Sequence, residues 1–323
     1  MSPNSSISAS DARRYLLTGA AAAVTLVVAI CALSLWGMQN GLSEWRESEL
    51  LRYQIEKIDD TRQVDILLVG DSSLGNGIDA RDWSRRLGLS VMSLPLVGTY
   101  GFEGTLNMLR RAVRETRPRV VVVMQTLDMM RRRPSWPGAL YTAETLGDLA
   151  DVPPREMLSA LATWDIPAGM LQAAATGEAI DPAIARLDYV PQNPARFGGT
   201  LYPRTYEPRA VRKDAAASLR RIGEFCDEQG LTCLYASGPY LDPQCKASLG
   251  YAAAVAEVAR QAGLIPVAGT PVCMPRSDVG DSEDHVIPSR RPQYSEIHRA
   301  LIMTAIEQAG VGLQRRPASG PGT

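Results

Sequence analysis

The hydrophobic pattern changes rhythm along the chain, and each rhythm predicts a different element. Positions 15–36 (YLLTGAAAAVTLVVAICALSLW) hold no charged residue, and a bilayer-crossing helix needs roughly 20 such residues. This predicts a transmembrane anchor over 15–38, preceded by a tail, 1–14. A cleaved signal peptide is the competing reading, although its apolar core ordinarily runs only ~7–15 residues. Arg13 and Arg14 precede the run, whereas Glu44, Glu47 and Glu49 follow it with Arg46. The positive-inside rule therefore places the tail in the cytoplasm and everything after the anchor outside. Over 39–62, Trp45, Leu50, Leu51 and Ile55 recur at helical spacing among charges, which predicts a stalk or linker helix.

Beyond the stalk the rhythm becomes that of alternating strands and helices. The run 64–69 is mostly apolar and stops at Gly70, as a strand buried on both faces should. A short helix is predicted over 78–87, a strand over 90–94, and a helix over 102–116 with Leu106, Leu109 and Val113 on one side. The β-branched run 119–124 predicts a central strand. Regularity lapses over 126–206, where prolines punctuate short helical stretches. So long an irregular stretch reads either as a lid or recognition surface or as a decoration away from any ligand. Alternation resumes with a helix over 208–229 stopped by Gly230, a strand over 231–236, a helix over 247–262, a strand over 264–268 and a helix over 292–309. The order implies one α/β domain, 63–310, with a parallel sheet and crossover helices on its faces. The tail 311–323 should be disordered.

Composition narrows the function classes. The 323 residues carry 34 Lys and Arg against 35 Asp and Glu, a net charge of -1, so nucleic acid is not an expected partner. Cys31 lies in the apolar run, which leaves Cys226, Cys233, Cys245 and Cys273. An even number outside the membrane suits disulfides in an oxidising compartment. Cys226–Cys233 would bracket a helix-to-strand turn, and Cys245–Cys273 would tie two loops. Zinc is the alternative, but C-x-x-C spacing is absent and the chain has only 2 histidines, so neither metal nor cofactor is expected.

Candidate chemistry begins at Gly70-Asp71-Ser72, immediately after the first strand. Ligands of open parallel sheets bind beyond the carboxyl ends of the strands, which is where Ser72 should sit as a nucleophile. Taken alone, Gly, Asp and Ser are also ordinary turn residues. A serine nucleophile needs a base and donors for an oxyanion, and the base must be His285 or His298. His298 lies at helical spacing beside Leu301 and Ile302, which reads as structural; His285 lies in a loop and is the expected base.

Together these blocks resemble the SGNH (GDSL) hydrolases. The first block is Gly70-Asp71-Ser72-Ser73-Leu74-Gly75-Asn76-Gly77-Ile78-Asp79, a glycine follows the second strand at Gly98, and Asp284-His285 precede the last helix. The resemblance spans about 64–309 without the insertion and implies a flavodoxin-like three-layer sandwich with a parallel sheet, preceded by one transmembrane helix. It also implies Ser72 as nucleophile, His285 as base and the Gly98 N–H as an oxyanion donor. Two departures stand out. Where the family has Gly-x-Asn-Asp, this chain reads Met124-Gln125-Thr126-Leu127-Asp128, so Gln125 or Thr126 could replace the Asn, or backbone N–H groups could suffice. Three residues before His285 stands Ser282 rather than Asp, which leaves Asp281, if the loop bulges, or the adjacent Asp284 to orient the ring. Relatives with one N-terminal anchor look like proteins that acylate cell-envelope polymers, such as the alginate acetylation and teichoic-acid D-alanylation proteins, often beside a membrane-bound O-acyltransferase. The expectation is a bacterial inner-membrane, periplasm-facing serine O-acetyltransferase or esterase acting on an exported polysaccharide. A carboxylesterase or lipase on small esters, or a non-catalytic scaffold of an acylation or export complex, are the alternatives.

Overall fold

The computed structural model describes residues 9–39, 46–161, 190, 192–199, 201 and 204–313. Most of the expected insertion's middle, 162–189, and the end of the expected disordered tail lie outside them. The chain divides into two units, one of Met1–Ser48 with Pro153–Ala179 and one of Glu49–Val152 with Ile180–Thr323.

The first unit contains helix α1 (Ala9–Gln39). Within it, Ser10–Ile30 is long and apolar enough to cross a bilayer, and Tyr15, Leu16, Leu17, Val24 and Leu26 are exposed.

Helix α2 (Arg46–Asp60), the element expected as a stalk, enters the second unit at Glu49. Leu51 and Ile58 are buried in the main core, so α2 is a layer of the domain. The sheet follows: β1 (Ile66–Gly70), β2 (Val91–Pro95), β3 (Val120–Gln125), β4 (Thr232–Ser237) and β6 (Ile265–Pro266). Their order is β2-β1-β3-β4-β6, and every pairing is parallel. Side chains alternate across a strand, so Leu67, Val69, Val121, Val123 and Tyr235 enter one core, whereas Ile66, Leu68, Val120, Val122 and Leu234 enter the other. The first core is closed by α2, α5 (Gly101–Thr116), α8 (Lys213–Glu228) and α10 (Leu249–Gln261). The second is closed by α4 (Ala80–Leu87) through Trp83 and by the last helix, α11 (Arg291–Gln308), through Ile302, Ala305 and Ile306. Burial on both faces explains the nearly unbroken apolar strands.

Three features outside the sheet hold its rim. A small parallel pair, β5 (Tyr240–Leu241) with β7 (Cys273–Met274), follows β4. Disulfide Cys245–Cys273 fastens β7 to α9 (Gln244–Ala247), and Cys226–Cys233 joins the end of α8 to β4, both as expected. After β3 the chain runs to α6 (Trp136–Thr142), while α7 (Pro154–Leu161) belongs to the first unit. The stretch before α6 is held against α5 by buried Glu103, whose Oε2 accepts from Ser135 N at 2.8 Å and whose Oε1 accepts from Arg221 at 3.0 Å.

Candidate active site

The chain proceeds from β1 to β2 on one side and then returns to place β3 on the other, so the order reverses beside β1 and opens a crevice at the carboxyl ends. Register sets Gly70 beside Pro95 and Met124, which brings Ser72, Gly98 and Thr126 to one rim. Gly70 has to be glycine: a Cβ there would collide with the Met124 carbonyl oxygen.

Asp71 caps α3 (Ser72–Gly77). Its Oδ1 accepts from Ser73 N at 3.0 Å and Ser73 Oγ at 2.6 Å, and its Oδ2 accepts from Thr126 N at 2.8 Å. One carboxylate thus clamps the ends of β1 and β3 and starts the helix that carries Ser72. Burial, with Asp284 nearby adding to it, pushes Asp71 up to about 6. Ser72 is 9% exposed, and among the described residues neither its Oγ nor its N–H has a hydrogen-bond partner.

His285 sits on a tight turn. Val279 bridges Val286, Gly280 N–H donates to His285 O at 2.7 Å, and His285 N–H donates to Ser282 O at 3.1 Å. This turn carries Asp281 back across to the ring, with Oδ1 2.7 Å from Nδ1. The other carboxylate oxygen accepts from Asn193 N at 2.7 Å, so the end of the insertion holds the orienting group. Its neighbour Gln192 donates to Asn76 Oδ1 at 3.1 Å and to Val286 O at 2.6 Å.

Asp284 takes a different place. Its Oδ1 lies 3.8 Å from His285 Nε2 and accepts from Ser282 Oγ at 2.6 Å. Burial opposes its ionisation, but His285, hydrogen bonding and Arg132 outweigh that and hold it below the ordinary carboxylate value. Burial likewise works against charging His285, yet Asp284, Asp281 and Asp71 overcome it and raise the imidazole above 6.5. His298 is fully buried in α11, its Nδ1 2.8 Å from Tyr294 O and its Nε2 without a partner among the described residues.

The candidates from the third block are engaged elsewhere. Gln125 is fully buried, and its Nε2 donates to Thr105 Oγ1 on α5 at 2.8 Å. Thr126 gives its N–H to Asp71 at 2.8 Å. Neither the Gln125 amide nor the Thr126 N–H is left as a spare oxyanion donor, whereas the Gly98 N–H has no partner among the described residues. Sequence reasoning missed Arg132, whose Nε and Nη2 reach Asp128 Oδ1 at 3.1 and 2.8 Å. Nothing but its i, i+4 spacing from Asp128 could have marked it. No metal-binding cluster of His, Cys, Asp and Glu occurs among the described residues.

No protein-family model matches this chain, and comparison with curated proteins gives no significant match.

Proposed function

We propose that this chain is a membrane-tethered serine acyl-transfer enzyme of the SGNH type that works outside the cytoplasm on acyl esters of an exported polysaccharide. One observation carries the reading. His285, oriented through Nδ1 by Asp281 at 2.7 Å, precedes Val286, and Gln192 bonds both to the Val286 carbonyl at 2.6 Å and to Asn76 at 3.1 Å on the short helix that begins at Ser72. In the proposed cycle Ser72 Oγ attacks an ester carbonyl while His285 Nε2 takes its proton. His285 then returns the proton to the departing alcohol, leaving an acyl-enzyme. Water as the next acceptor makes the protein an esterase; a sugar hydroxyl makes it an O-acyltransferase.

The tether supports a polymer substrate delivered at the membrane, because confinement raises the effective concentration of enzyme and substrate. Arg13 and Arg14 before the apolar run favour an outward-facing domain. The two disulfides fit an oxidising compartment. A membrane-bound O-acyltransferase is the proposed partner, as a source of acyl groups.

A non-catalytic scaffold is the second reading, favoured by the lack of a hydrogen bond between Ser72 Oγ and His285. Such bonds often tighten only once substrate is bound. Hydrolysis of a chromogenic acetyl ester by the full-length protein in detergent, compared with Ser72→Ala, separates the two. Catalysis requires wild-type turnover at least ~10³-fold above the variant, and equal rates discard Ser72 as nucleophile. Adding a soluble glycan and measuring acetylated product by mass spectrometry then distinguishes transferase from esterase.

A further inference from the structure

The accounting of donors at the rim leaves a gap that Arg132 fills. A tetrahedral intermediate places a full negative charge on the former carbonyl oxygen, and enzymes meet it with preorganised donors. Ser72 N–H and Gly98 N–H are two. The third block offers no amide for a third, because Gln125 is bonded to Thr105 beneath α5 and Thr126 has given its N–H to Asp71.

The guanidinium of Arg132 lies directly over Gly98: a Cβ placed on that glycine would overlap Arg132 Nη1. Asp128 Oδ1 holds Nε and Nη2 at 3.1 and 2.8 Å, which fixes the plane of the group and leaves Nη1 without a hydrogen-bond partner among the described residues. The side chain is 40% exposed, so the group is not sealed beneath the surface. A glycine at position 98 is thereby explained by the cation packed on its Cα.

From this geometry we infer that Arg132 Nη1 is the third oxyanion donor, a charged replacement for the neutral amide that the third block lacks. The inference rests on the acyl-transfer reading above and deepens it. In the step concerned, the Ser72 Oγ electron pair forms the new C–O bond and the carbonyl π pair moves onto oxygen. The hydroxyl proton passes to His285 Nε2. Arg132 donates to the oxyanion without changing its own protonation. Collapse re-forms the carbonyl, breaks the bond to the alcohol oxygen and sends the proton from His285 to that oxygen. Buried Asp71 and Asp284 offset the cation while the site is empty, since both act on Arg132 through their charges.

The experiment uses the full chain in detergent with a chromogenic acetyl ester, measuring kcat and KM separately for wild type, Arg132→Met, Arg132→Lys, Asp128→Asn and Ser72→Ala. Arg132→Met should lose on the order of 10²–10³-fold in kcat with KM changed by less than about threefold. Lysine should recover part of that, because a point charge lacks the fixed fork. Asp128→Asn, which loosens the group without removing it, should cost less than Arg132→Met. Free guanidinium ion should restore turnover to Arg132→Met, a response that a purely structural defect would not give, and thermal melting checks that the variant is folded. An unchanged kcat, a loss carried entirely by KM, or a folded Arg132→Met that guanidinium does not rescue overturns the inference alone. Equal activity of wild type and Ser72→Ala instead removes the acyl-transfer reading, and this inference with it.

Discussion

Asp281 Oδ1 stands 2.7 Å from His285 Nδ1, although the two residues are four apart in a loop. The turn closed by Gly280 and the Val279–Val286 bridge makes that contact. Asp281→Asn preserves the shape but offers Nδ1 a donor, which favours the wrong tautomer of the ring. Acetyl-ester kcat should fall on the order of 10³–10⁴-fold with the melting temperature nearly unchanged. A loss below tenfold would mean that the carboxylate does not orient the base.

The pH dependence of activity should reveal the second carboxylate. His285 must be neutral to accept a proton, and Asp284, Asp281 and Asp71 raise its pKa above 6.5. The rising limb of kcat/KM should therefore lie above 6.5. Asp284→Asn removes the nearest charge at Nε2 and should move that limb toward lower pH. A limb that stays in place would deny Asp284 any electrostatic part.

His298 predicts an acid-sensitive fold. Burial lowers its pKa from 6.5 to about 4, and Nε2 faces no acceptor. The folded pKa lies below the unfolded one, so the stabilisation is complete above 6.5 and is lost as pH falls through the window down to about 4. The full effect is on the order of 3 kcal/mol at about 1.4 kcal/mol per unit. His285 has the opposite sign: its raised pKa contributes stability below 6.5 that fades as pH rises through the folded value. Urea midpoints of wild type and His298→Gln between pH 7 and about 4 separate the two. The difference between the proteins should shrink as pH falls, and a constant difference would refute the assignment.

Gly70→Ala tests the close approach of β1 and β3. Its methyl group would meet the Met124 carbonyl, which is backbone and cannot rotate aside. A destabilisation of at least ~3 kcal/mol is expected in urea unfolding. Full stability with full activity would show that the strands can separate at the rim without consequence.

Much of this architecture was legible in the chain. Runs such as 64–69 and 119–124 announce strands because a strand covered on both faces has no polar side, and both occur where the runs predict. The place of Gly70-Asp71-Ser72 after the first strand was legible too, but taken alone those residues read equally as a turn, and only the fold gives Asp71 its partners Ser73 and Thr126. The pairings Cys226–Cys233 and Cys245–Cys273 followed from compartment and position. Harder to read were how far α2 packs into the core, through Leu51 and Ile58, and Gln125, whose amide turns to Thr105.

The sequence by itself determined the main sheet strands and the longer helices, which apolar helix is long enough for a membrane, and which serine follows the first strand. Those properties reside in neighbouring residues, through side-chain period, hydropathy and turn chemistry. Tertiary structure alone decided that β3 returns beside β1, that Asp281 rather than Asp284 meets Nδ1, that Asn193 steadies Asp281, and that Arg132 lies over Gly98. Each depends on groups far apart in the chain or on the path of a loop, and local pattern carries no information about how such groups meet once the two cores have closed.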